Sequence, residues 1–187
     1  MKPALVCWIA LYAAISTWAE APKKPSDKKV NQEQAGPEMQ KLVKVFAGRW
    51  SITEKSEATG KTVQGEEFWH ALAGGMPLIE EYHTKGPDGA AYDTAAIWWD
   101  ATARKYAGIW CAAFNEPGCT PFEVKWEGNR IVLDGEFQQA GKKLAWREVF
   151  LFTSATSFSQ TLDIGPSPAE LKRASIITAK KLSRVGH

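Results

Sequence analysis

Histidine and cysteine are scarce in this chain, with three of each among 187 residues. A three-histidine metal site would have to join His70 and His83 to His187 at the end of the sequence, so no metal centre is expected. Charge of one sign is equally lacking. The whole sequence carries a formal net charge of +2, and residues 37–187 balance at 18 basic against 18 acidic side chains. Such a body has no field to draw in phosphate, so nucleic acid is not an expected partner. No apolar run reaches the roughly 20 residues of a membrane helix. The sequence also contains no H-E-x-x-H, G-x-S-x-G, G-x-x-x-x-G-K-[ST] or G-x-G-x-x-G, and the enzyme classes built on those motifs drop out with them.

What the chain does have is aromatic and apolar material: nine Trp, eight Phe and four Tyr, with 44% hydrophobic residues overall. That is ample for one folded domain. It is not evenly spread. Met1-Lys2 followed by the apolar run Ala4–Trp18 has the form of a signal peptide over 1–19, with cleavage expected between Ala19 and Glu20. Residues 20–36 are rich in Pro, Lys, Ser, Asp and Gln and read as a disordered tether. The domain is then 37–187, exported to the periplasm or secreted, without a transmembrane anchor once the signal is removed. In such an oxidising compartment Cys111 and Cys119, which flank turn residues Asn115, Pro117 and Gly118, are expected to form a disulfide.

Met39, Leu42, Val43 and Phe46 form an i, i+3, i+4, i+7 stripe behind Pro37 and Glu38, which predicts one short helix ending near Gly48. After Trp50 the texture is that of strands. Runs near 49–57, 62–72, 77–85, 91–100, 105–114, 121–127, 130–138, 144–153, 157–163 and 172–182 are separated by turn clusters such as Glu127-Gly128-Asn129 and Ala140-Gly141-Lys142. No gap holds a crossover helix, so the expected fold class is all-β, an up-and-down antiparallel barrel of about ten strands. A two-sheet sandwich is the other arrangement these strands allow.

Gly48-Arg49-Trp50 at the helix–strand junction resembles the G-x-W signature of lipocalins and other calycin barrels. Together with Gly74-Gly75 before Leu78-Ile79-Glu80-Glu81-Tyr82, Trp99-Asp100 ahead of Lys105-Tyr106-Ala107-Gly108-Ile109-Trp110, and Arg147-Glu148-Val149-Phe150, it resembles the bacterial domain-of-unknown-function 1579 family over roughly 37–182. The resemblance implies a lipocalin-like barrel distantly related to nitrobindin, and no established activity. It also implies that Gly48 and Trp50 close one end, with Lys180, Lys181 or Arg184 covering the indole.

Alternation suggests which side chains face inward. Leu78, Glu80, Tyr82 and Thr84 share a face, as do Tyr106, Gly108, Trp110 and Ala112. The adjacent Trp98 and Trp99 must point oppositely, and Trp98 is assigned to the interior. The expected site is a cavity walled by Tyr82, Trp98, Trp110 and Phe150, with small residues leaving room and a Glu80–Arg147 pair anchoring the head of a small apolar or amphipathic ligand. No catalytic residue is assigned and no cofactor is required. Three alternatives stand beside it: an enzyme using Glu80 or Glu81 with His83 or Tyr82 as acid–base groups, a haem protein with His70 or His83 as axial ligand, and a solid barrel acting as an interaction module. The oligomeric state is left unassigned.

Overall fold

The computed structural model describes residues 35–86 and 89–183. The expected signal peptide, its cleavage point and nearly all of the expected tether lie outside the described residues. One helix, α1 (Pro37–Phe46), precedes ten strands: β1 (Gly48–Ser56), β2 (Thr62–Ala71), β3 (Leu78–Gly86), β4 (Gly89–Asp100), β5 (Lys105–Ala112), β6 (Cys119–Glu127), β7 (Arg130–Gln139), β8 (Lys142–Ser154), β9 (Ser157–Gly165) and β10 (Lys172–Lys181). Each strand pairs antiparallel with its chain neighbour, and β1 pairs with β10, so the sheet closes into an up-and-down barrel. Closure leaves no edge strand exposed, which decides against the sandwich.

The helix starts as its sequence requires. Pro37 occupies the first turn, where a missing N–H costs nothing, and Glu38 complements the helix dipole. Met39, Leu42 and Phe46 are completely buried. The helix ends at Phe46, and Gly48 serves instead as the first residue of β1 with φ +139°, a conformation that favours glycine. A side chain there would also displace the end of the Lys181 side chain.

The helix plugs one end of the barrel. Phe46 stacks on Trp69 at 4.3 Å between ring centroids and meets Phe150 edge-on at 5.1 Å. Trp50 packs on Phe158 at 4.8 Å and donates its indole N–H to the Phe46 carbonyl at 2.8 Å. Of the expected covering cations, Lys181 lies over Trp50, with Nζ 4.9 Å from the ring centroid, and Arg184 lies outside the described residues. Tyr106 donates its hydroxyl to the Glu38 carbonyl at 2.9 Å, tying β5 to the helix. The half of the barrel near α1 is therefore filled with rings. The space is in the other half.

Candidate functional site

A cavity of about 220 Å3 lies inside the barrel, in the half remote from α1. Its wall is built from alternate residues of nearly every strand, because every second side chain of a barrel strand points inward. One side is aromatic. Trp110 sits 6.1 Å from both Phe137 and Trp146, and Phe122 sits 5.6 Å from Trp146, so the rings form a continuous lining. Phe114, in the β5–β6 loop, is 48% exposed and reaches the same cavity from its rim, 5.4 Å from Trp110.

The loop is held in place covalently. Cys111 and Cys119 face each other across β5 and β6 and are joined by the expected disulfide. Asn115, only 2% exposed, donates to Thr120 Oγ1 at 3.2 Å and accepts from the Gln138 backbone N–H at 3.2 Å. Those bonds connect the loop that carries Phe114 to β6 and β7.

The opposite side is acidic. Glu67, Tyr82 and Asp93 are consecutive cross-strand partners on β2, β3 and β4, with Glu80 one inward step along β3. Glu54 on β1 accepts a 2.6 Å hydrogen bond from the Tyr82 hydroxyl. Glu148 approaches from β8. Of these, Glu54, Glu80, Tyr82, Asp93 and Glu148 line the cavity, and Glu67 lies fully buried behind it. Among the described residues, no lysine, arginine or histidine lines the cavity.

Carboxylates brought together in a low-dielectric interior resist ionisation for two reasons, lost hydration and mutual repulsion. Burial first, and then the charges of Asp93 and Glu54, push Glu67 up to about 8 against a 3.1 Å hydrogen bond from Trp69 Nε1. Burial and the charges of Asp93 and Glu67 push Glu148 to about 8 in the same way, against a hydrogen bond from Gln160. Asp93 rises to about 7 through burial, against a hydrogen bond from Trp110. Glu80 is raised well above the usual carboxylate range by burial, with Glu67, Asp93 and Glu148 all adding repulsion.

Of the residues expected at the site, Glu80, Tyr82 and Trp110 surround the cavity. Three others lie elsewhere. Trp99, not Trp98, turns inward, meeting Tyr106 at 4.9 Å, and Trp98 therefore takes the outer face of β4. Phe150 points inward but belongs to the plug at the closed end, against Phe46 and Phe158. Arg147 lies on the outer face, where its Nε donates to Asp134 Oδ1 at 2.6 Å and its side chain is 42% exposed. The Glu80–Arg147 pair does not form. Positions of one parity on β8 point inward, namely Leu144, Trp146, Glu148, Phe150 and Phe152, so Arg147 and Phe150 were never compatible as two cavity residues of one regular strand.

The small residues have a different role from the one expected. A side chain at Gly108 would overlap the Phe122 ring, and one at Gly135 the Trp146 indole. These glycines let the rings lie flat on the wall. The sequence reading missed Asp93, Trp146, Glu148 and Gln160. For Glu148 the available signal was Trp146-x-Glu148-x-Phe150-x-Phe152, in which three aromatic residues mark the inward parity.

His83 is on the exterior, stacked on Tyr92 at 4.5 Å, and His70 is also outward-facing, 3.7 Å from Glu81. Neither lines the cavity, so a haem iron held there would find no axial imidazole among the described residues. Glu81 is likewise outside, leaving only Glu80 and Tyr82 of the expected acid–base groups facing inward.

No family model matches this sequence, and no curated protein matches it. Solved structures do share its fold. One neighbour is a protein named Rv2717c from M. tuberculosis, 12% identical with a TM-score of 0.57, the match covering 80% of this chain and all of that one. Another is the S-type phycobiliprotein lyase CPES from Guillardia theta, 10% identical with a TM-score of 0.52, covering 85% of this chain and 99% of that one. At these identities the likeness is one of fold.

Proposed function

We propose that this protein is an exported, non-catalytic binding protein that encloses a small molecule with an apolar body inside its barrel. The observation that carries the proposal is the 220 Å3 cavity, walled by Trp110, Phe122, Phe137 and Trp146, within a barrel whose other half is packed solid. The volume exceeds the roughly 150 Å3 of a dry protein cavity that accepts benzene. It falls below the roughly 300 Å3 at which drug-sized pockets begin. A single ring with a short chain is the size that fits. The Cys111–Cys119 bond supports life in an oxidising compartment.

The test uses three probes of matched size that differ in head group: 2-phenylethylamine, propylbenzene and 3-phenylpropionate. In spectra of nitrogen-labelled protein, at least one probe is expected to shift the side-chain N–H signals of Trp110 and Trp146 saturably, while that of Trp98 stays in place. Ala95→Phe, which puts a ring into the cavity, is expected to remove those shifts. No saturable shift with any probe, or shifts confined to the outer face, would overturn the proposal.

A further inference from the structure

The polar groups around the cavity are one-sided. Glu54, Glu80, Asp93 and Glu148 line it with four carboxyl groups, and no basic side chain stands among the described lining residues. Tyr82 donates to Glu54 at 2.6 Å, while Trp110 and Gln160 are placed to favour the ionised forms of Asp93 and Glu148. Gln160 is 2% exposed, lines the cavity, and its Oε1 has no hydrogen-bond partner among the described residues. A buried acceptor left without a donor is costly, so this amide oxygen is placed to accept from a donor that enters the cavity. One donor also lacks a partner, Trp146 Nε1, but its indole lies flat over Gly135 against the wall.

We infer that the cavity selects a small organic cation, an amine on an apolar body, whose N–H groups meet a carboxyl group of Glu80, Asp93 or Glu148 and the Gln160 amide oxygen while its body lies against Trp110 and Trp146. This inference rests on the proposed binding function and specifies its ligand class. Each alternative class fits less well. An anionic head would find no basic side chain among the described lining residues to neutralise it, and would oppose ionisation of the carboxyl groups around it. A neutral apolar molecule would leave the Gln160 oxygen without a donor. A bare metal ion is disfavoured by geometry, since no three acidic, histidine or cysteine side chains among the described residues converge closely enough to hold one. An ammonium carries both the charge and up to three donors, and aromatic faces favour a cation beside them.

Binding then has a proton signature. The ionisable groups facing the site are Glu54 on β1, Glu67 on β2, Glu80 and Tyr82 on β3, Asp93 on β4 and Glu148 on β8; the lining residues of β5, β6, β7, β9 and β10 are uncharged. A cation arriving among carboxyl groups that hold protons near neutrality releases protons to solvent, and its affinity rises with pH until those groups are ionised.

The experiment is calorimetric titration of the intact protein with the three probes at pH 8, with the amine repeated at pH 5.5 and in two buffers of different ionisation heat. The amine is expected to bind about tenfold or more tightly than propylbenzene, 3-phenylpropionate to show no saturable binding, and proton release to accompany the amine. Glu148→Gln and Glu80→Gln are each expected to shrink the amine's advantage about tenfold, and Arg147→Met to leave it unchanged. Propylbenzene binding as tightly as the amine, or the carboxylate binding more tightly, would overturn the inference while leaving the binding function standing. Saturation by none of the three would overturn both.

Discussion

Glu148 shows what a single carboxyl group does in this interior. It is held between Leu133 and Leu162 on the neighbouring strands, and the Gln160 hydrogen bond only partly offsets its desolvation. Its neutral amide is nearly the same shape. Glu148→Gln is therefore expected to stabilise the ligand-free protein at pH 8 by more than about 1 kcal/mol, measured by urea unfolding, with little effect at pH 4.5. A destabilisation at pH 8 would contradict the desolvation account. Arg147→Met supplies the contrast. It removes a partly exposed ion pair with Asp134, so a loss of about 0.5–1 kcal/mol is expected, measured the same way. Parity explains why Arg147 looked like the anchor in the sequence. Alternation divides a strand into two sets without saying which is inside, and the Glu80 carboxylate invited a basic partner. The interior in fact gathers like charges, and no local rule of sequence signals that.

At the scale of elements, the ten strands were legible because their ends carry turn chemistry, and the observed bounds agree with the expected ones closely. The largest differences, two residues at one end each of β4, β5, β6, β8 and β9, all fall at the mouth, and two of them follow from hydrogen bonding there. β6 begins at Cys119, not at 121, because the disulfide and the Cys111–Cys119 register extend the β5–β6 ladder to the cysteine itself. β8 reaches back to Lys142 because its hairpin with β7 closes on Ala140-Gly141. Two elements carry testable weight. Phe46 joins α1 to Trp69, Phe150 and Phe152, so Phe46→Ala is expected to cost about 3–5 kcal/mol in unfolding free energy. A cost below about 1 kcal/mol would mean that the helix is not the plug described. Replacing Cys111 and Cys119 together by Ser removes a cross-link over a sequence separation of 8, and a loss of about 2.5 kcal/mol is expected from loop-closure entropy.

The whole molecule carries opposite electrostatic designs on its two surfaces. Outside, acids meet bases: Asp134 is partly buried, but hydrogen bonds from Arg147 and Lys125 outweigh that burial and hold its carboxyl below the usual range. Such a group contributes stability above its unfolded pKa and loses it as pH falls. Inside, acids meet acids. Glu67 and Glu148 are raised from 4.5 to about 8, and Asp93 from 3.8 to about 7, so the folded barrel keeps protons that the unfolded chain releases. Their contribution is complete below the unfolded pKa and is lost as pH rises through the folded values. Unfolding free energy is expected to peak near pH 4.5 and to decline toward pH 8; a steady rise over that interval would contradict the acidic interior. An amine bound at pH 8 is expected to recover part of the loss, because binding to the folded state alone stabilises it. The barrel itself was readable from its uninterrupted series of hairpins. The cavity was not, because it depends on which rings lie flat over Gly108 and Gly135, a matter of packing across strands.

The most direct measurement is a crystal structure of the protein with 2-phenylethylamine at pH 8. The account requires the phenyl ring inside the barrel beside Trp110 and Trp146, with the ammonium nitrogen about 3 Å from a carboxylate oxygen of Glu80, Asp93 or Glu148. An amine bound only on the exterior, or lodged in the cavity with its nitrogen turned away from every carboxylate, would contradict it.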